Sequence, residues 1–97
     1  MPIDTKTVPS RSATLTNVSS SASSVPLLLE QPARLGATIM NDSTQVLYVK
    51  LGKVASTTSY TVQLATMTYY EVPFGYTGQI DGIWAAANGT ARLTEVC

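Results

Sequence analysis

The stretch Ile80-Asp81-Gly82-Ile83-Trp84-Ala85-Ala86-Ala87-Asn88-Gly89-Thr90-Ala91-Arg92-Leu93-Thr94-Glu95-Val96 carries the most legible fold signal in the chain. Two runs of apolar and β-branched side chains flank Asn88-Gly89, and both of those residues tolerate the positive φ that a type I′ turn demands. The spacing predicts a β-hairpin in which Ala87 faces Thr90, Ala86 faces Ala91 and Trp84 faces Leu93. That register gathers Trp84, Ala86, Ala91 and Leu93 on one face and sends Arg92 and Thr94 to the other. A slip of one residue would set Trp84 against a polar neighbour.

Working towards the N-terminus, Phe74-Gly75-Tyr76-Thr77-Gly78 reads as a glycine-spaced aromatic loop, preceded by a short strand Tyr69–Val72 that stops at Pro73. Tyr60–Leu64 alternates, with Tyr60, Val62 and Leu64 expected inward and Thr61 and Gln63 outward. Ala65–Thr68 is read as a turn, and Gly52–Thr57 as a loop. Gln45–Leu51 is apolar on both parities, which predicts a central strand covered by neighbours on both faces or by a partner subunit on one. Asn41-Asp42-Ser43-Thr44 has turn chemistry and follows a strand over Ala37–Asn41. Further upstream, Glu30–Arg34 is a connection around Pro32, Val25–Leu29 a short apolar strand, and Ser12–Ser24 a β-like run that fades into serines. Residues 1–10 hold little to bury and are expected to form an extended arm. The sum is about eight short strands without a helical period. The expected fold is all-β: a compact antiparallel β-sandwich or jelly-roll-like domain over residues 11–97, with the arm in front of it.

Composition agrees with pleated structure and excludes several kinds of function. Ser and Thr together number 24 of 97 residues, while only 12 % of the chain is charged, half the usual share of a soluble domain. Six basic residues balance six acidic ones. Such a chain lacks the clustered cations that displace counterions from nucleic acid, and it lacks a polybasic membrane anchor. No apolar run reaches the roughly 20 residues that span a bilayer, and the opening residues do not read as a secretory signal. Histidine is absent and Cys97 is the single cysteine, so within one chain a zinc site, a disulfide framework and a His-based triad are excluded. No cofactor is expected. Cys97 is read as a spectator thiol.

The remaining candidates are few. The six acids, Asp4, Glu30, Asp42, Glu71, Asp81 and Glu95, show no metal-loop or paired-carboxylate spacing, and Glu71 and Asp81 are expected to be solvated at strand edges. Gly52-Lys53 lacks the earlier glycine and following helix of a phosphate loop. The three asparagines fall in Asn-x-Ser/Thr triplets, where turn chemistry is the simpler explanation. Five of the seven aromatics cluster between Tyr69 and Trp84. Trp84 and one of Tyr69 and Tyr70 are expected in the core, whereas Phe74 and Tyr76 sit on a Pro/Gly loop, where a large side chain is poorly explained by the domain's own core; with Tyr69 and Tyr70 they are the candidate partner-contact residues.

One further signal is an ordered series: Ala37-Thr38-Ile39-Met40-Asn41-Asp42-Ser43-Thr44, Leu47-Tyr48-Val49-Lys50-Leu51-Gly52, Thr58-Ser59-Tyr60-Thr61-Val62, Tyr69-Tyr70-Glu71-Val72-Pro73, Gly75-Tyr76-Thr77-Gly78, Gly82-Ile83-Trp84 and Gly89-Thr90-Ala91-Arg92-Leu93-Thr94-Glu95. With Thr16–Ser20 and Val25–Leu29 upstream, this series resembles the small β-rich virion structural proteins of tailed bacteriophages over residues 11–96. The resemblance contains no catalytic signature and transfers no site residue. It implies a non-enzymatic module on the outside of a phage head, a capsid cement (decoration) protein that bridges major capsid protein subunits, made in the host cytoplasm and used in the virion. Homo-oligomerisation is expected, with a trimer suiting threefold positions of a shell, and the arm would add main-chain contacts. The alternatives are a head- or tail-fibre adhesion module that binds host surface carbohydrate, and a head–tail neck protein.

Overall fold

The computed structural model describes residues 12–97. The arm expected over residues 1–10 lies outside them. Eight strands form: β1 (Ala13–Ser19), β2 (Val25–Leu28), β3 (Gly36–Asp42), β4 (Leu47–Leu51), β5 (Val62–Leu64), β6 (Tyr69–Val72), β7 (Ile80–Trp84) and β8 (Thr90–Val96). They build two four-stranded antiparallel sheets, β1-β8-β3-β6 and β2-β7-β4-β5, packed as a sandwich, and the described residues contain no helix.

The pairing is nested. β4 pairs with β5, β3 with β6, β2 with β7 and β1 with β8, as in one long hairpin closed at the β4–β5 loop. Two further pairings, β3 with β8 and β4 with β7, roll that hairpin into the two sheets. Of the seven connections only β4–β5 stays within a sheet.

This arrangement corrects the expected hairpin over Ile80–Val96. β7 and β8 belong to opposite sheets, so Trp84 and Leu93 face each other across the core and are not cross-strand neighbours. The five residues from Ala85 to Gly89 leave the strand path, with Ala85 N–H donating to the Val46 carbonyl. They span the roughly 10 Å between packed sheets. Asn88-Gly89 keeps its turn chemistry in a different role. Gly89 has φ +75°, and a Cβ there would lie 2.8 Å from the Ser43 side chain and collide with the Asp42 carbonyl. Asn88 Oδ1 accepts from Thr44 N–H (3.1 Å) and Thr44 Oγ1 (2.9 Å). The pair therefore clamps two sheet-to-sheet crossings together.

Alternation dictates the core. In β3, Ala37, Ile39 and Asn41 point inward, and in β8 Ala91 and Leu93 meet them. From the other sheet come Leu47, Val49, Ile80 and Trp84, each buried to 1 % exposure or less. Burying each such side chain contributes about 1.5–3 kcal/mol, more for the indole. Gly82 is small because its neighbours need the room: a Cβ there would sit 2.8 Å from Leu27 Cδ1. β4 is central as its composition predicts, between β7 and β5.

The cover on the outer face of β4 comes from its own chain. Tyr60 packs edge-on against Tyr48 at 5.1 Å, and its hydroxyl accepts from Gln63 Nε2. The expected inward position of Tyr60 is thus corrected. β5 begins only at Val62, and the Thr61 hydroxyl accepts the Leu51 N–H, which breaks the alternation one residue earlier.

Candidate functional site

The outer face of the β1-β8-β3-β6 sheet carries a surface groove. Register places Asn17, Arg92, Met40 and Tyr69 side by side across the four strands, and Leu15, Thr94, Thr38 and Glu71 in the next row. All of these except Glu71, together with Thr16 and Leu93, line an open groove of about 430 Å³. Leu15 is 74 % exposed and Tyr69 67 % exposed, so the groove has apolar walls at both ends and threonines along its floor. Arg92 Nε reaches Asp42 Oδ2 at 2.6 Å on the same face. Both side chains remain in solvent, and pairs of that kind contribute at most about 1 kcal/mol to stability.

Of the four aromatics singled out from sequence, the structure brings only some to the surface. Tyr69 stands over the groove. Tyr70, its neighbour on β6, points the opposite way and packs against the core. Phe74 is 67 % exposed at the turn after β6, roughly 10 Å or more along the strand from Tyr69 at 3.3 Å per residue. Tyr76 folds back against the core, and its hydroxyl donates to the Gln79 carbonyl at 2.9 Å. Two exposed rings and two tucked ones do not form a single aromatic platform.

Three buried polar clusters escaped the sequence reading. Arg34 sits in a connection, yet its side chain is completely enclosed. Its Nε donates to Glu95 Oε2 (2.8 Å), Nη1 to the carbonyls of Tyr76 (3.2 Å) and Gly78 (2.9 Å), and Nη2 to that of Leu29 (2.6 Å). One guanidinium thereby ties the β2–β3 connection and the β6–β7 loop to β8. Asn41 is fully buried; its Nδ2 donates to the carbonyls of Gln45, Leu64 and Ala65, and its Oδ1 accepts from Ser43 Oγ and the Trp84 indole. Parity held the clue here, since Asn41 shares the inward face of Ala37 and Ile39.

Asp81 corrects an expectation. It is not solvated but 5 % exposed, beneath the loop that follows β4. Its Oδ2 accepts from Val54 N–H (2.6 Å) and Ser24 Oγ (3.4 Å), and its Oδ1 from Gln79 Nε2 (2.7 Å). Val54 takes φ +60°, an expensive conformation for a β-branched residue. Lys50 Nζ holds the same loop through the Val54 carbonyl and Ser59 Oγ. Glu71 lies on the other sheet, on its exposed outer face, so the two acids do not meet.

All three clusters consume their polar atoms in holding loops. Every buried side-chain nitrogen and oxygen among the described residues has a hydrogen-bond partner. Among those residues no group of His, Cys, Asp and Glu is arranged to hold a metal ion, and no helix is long and apolar enough to cross a membrane. Comparison with known proteins gives no match to a family model, a curated protein or a solved structure.

Proposed function

We propose that the chain is a non-enzymatic virion structural module, a capsid cement protein that binds major capsid protein on the outer surface of a phage head and associates with further copies of itself. The observation that carries this reading is the outer face of the β1-β8-β3-β6 sheet. It combines exposed apolar side chains, Leu15 and Tyr69, with a floor of threonines, Met40 and an Arg92 whose charge is paired with Asp42. A surface of that kind suits docking onto a protein, where aromatic and aliphatic anchors supply the affinity. The strand order supports the reading by analogy. Nested pairs rolled into two sheets favour a jelly-roll reading of the sandwich, an arrangement that recurs in viral capsid and lectin domains. The sequence resemblance to phage virion proteins points the same way. Repetition over a shell would turn weak single contacts into a firm coat.

A second reading draws on the same groove. Tyr69 at one end of the groove and Thr38, Arg92 and Asn17 across it supply a ring and hydrogen-bonding groups, the combination that a host-surface carbohydrate requires. Copy number separates the two. Quantitative mass spectrometry of particles from the source of the chain should give hundreds of copies per particle for cement. A dozen or fewer would favour an adhesion fibre, and absence from particles would end both readings.

A further inference from the structure

Among the described residues, three of the four sheet edges are blunted and one is open. Edge strands invite pairing with another chain, and proteins shorten, charge, bulge or interrupt them to prevent it. β2 carries Pro26 and a register shift between Pro26 and Leu28. β5 has three residues, and β6 has four, with Glu71 among them and Pro73 directly after. β1 has seven residues, Ala-Thr-Leu-Thr-Asn-Val-Ser, with no proline and no charge, paired to β8 without a register shift. Six of the seven are exposed. β1 therefore buries little on either face and is held chiefly by its ladder to β8.

The ladder also tells which groups point outward. Ser12 and Cys97 exchange two main-chain hydrogen bonds, and antiparallel pairs alternate, so Thr14, Thr16 and Val18 bond to β8. Ala13, Leu15, Asn17 and Ser19 direct their N–H and C=O groups away from it. No described strand lies on that side.

We propose that this edge pairs with the same edge of a second copy, giving a closed twofold dimer with one sheet continuous across eight strands. An edge-to-edge contact between copies needs an open edge on each, and β1 is the one without a blunting device, so the contact is isologous and stops at two. The register that uses the whole strand centres on Thr16. It sets Thr16 against the partner's Thr16, Thr14 against the partner's Val18 and Leu15 against the partner's Asn17, with favourable β-branched pairs on one face. Two uncharged strands on chains of zero net charge approach without repulsion. The same contact covers Leu15 and joins the two outer grooves. It departs from the threefold association expected from sequence, and it stands independently of the cement reading: a dimer that ignores phage heads, or a monomer that binds them, would separate the two.

Sedimentation and amide exchange of the described domain's full chain test the proposal. Ladder contacts without a large apolar core predict dissociation in the range of about 10 μM to 1 mM. Across that range the amides of Leu15 and Asn17 should become protected as the dimer forms, while those of Thr14, Thr16 and Val18 are already protected at the lowest concentration. Leu15→Lys, which leaves the backbone intact, should weaken association by about tenfold or more by setting two cations beside the symmetry axis. Asn17→Pro removes an outward N–H that β8 does not use, and should do the same with an unchanged melting curve. A wild-type chain that stays monomeric throughout, a trimer, or a dimer indifferent to Leu15→Lys would overturn the proposal.

Discussion

Replacing Arg34 with methionine should cost this domain a large part of its stability. The change keeps the length and much of the volume of the side chain but removes four hydrogen bonds at once. Glu95, with 16 % of its side chain exposed, would keep a charge with little water to replace the lost partner. Three carbonyls, from Leu29, Tyr76 and Gly78, would lose their donor. Removing one member of a buried pair costs about 3–5 kcal/mol, against a total of about 5–15 kcal/mol for a chain of this size. With a urea dependence of about 1–1.5 kcal/mol per molar, the unfolding midpoint should fall by roughly 2–5 M. Glu95→Gln should cost less, about 1.5–3 kcal/mol, because the guanidinium retains its three carbonyls. A double-mutant cycle by urea denaturation resolves the shared part. Equal costs for the two single variants, or an Arg34→Met variant within 1 kcal/mol of wild type, would refute the account of the guanidinium as the tie between loops.

Trp84→Ala should destabilise by about 3–5 kcal/mol, whereas Trp84→Phe should cost less but still leave Asn41 Oδ1 without the indole donor; thermal unfolding distinguishes them. Gly89→Ala should cost more than Gly75→Ala. Both have positive φ, but a Cβ at Gly75 meets nothing within 4 Å, so the difference measured by denaturation isolates the steric clash with the β3–β4 crossing. Val54→Gly should leave stability unchanged or raise it by up to about 1 kcal/mol. It relieves the left-handed backbone while the bond from residue 54 N–H to Asp81 persists, and a loss above that size would show that the valine side chain is needed.

Strand positions were largely legible because the signal is local. Tyr69–Val72 stops at Pro73, Val25–Leu28 follows a run of serines and ends short of Pro32, and the inward parity of Trp84 and Leu93 follows from period two. Pairing was not legible, because the same local chemistry serves a hairpin and a crossing between sheets. Asn88-Gly89 supplies positive φ in either case, and only the five-residue length of the connection from Ala85 distinguishes them. The buried ties failed for a related reason. Arg34 and Glu95 are 61 residues apart, and no spacing rule joins them until the nested pairing is known. Asp81 sits on an outer face that alternation marks as wet, and only the fold of the loop over it makes it dry. For the surface aromatics, the cluster from Tyr69 to Trp84 was visible in the sequence, but the exposed Tyr69 and Phe74 could not be told from Tyr70 and Tyr76, whose orientation depends on strand parity and loop path.

The placement of Ser12 beside Cys97 has a mechanical consequence. Force applied through those two residues would act across the β1–β8 ladder at one end, so its hydrogen bonds would part in succession, as a zipper opens. Squeezing the sandwich across its thickness would instead load the interlocked side chains of both sheets together. The described domain therefore resists loads across its thickness better than loads applied through Ser12 and Cys97.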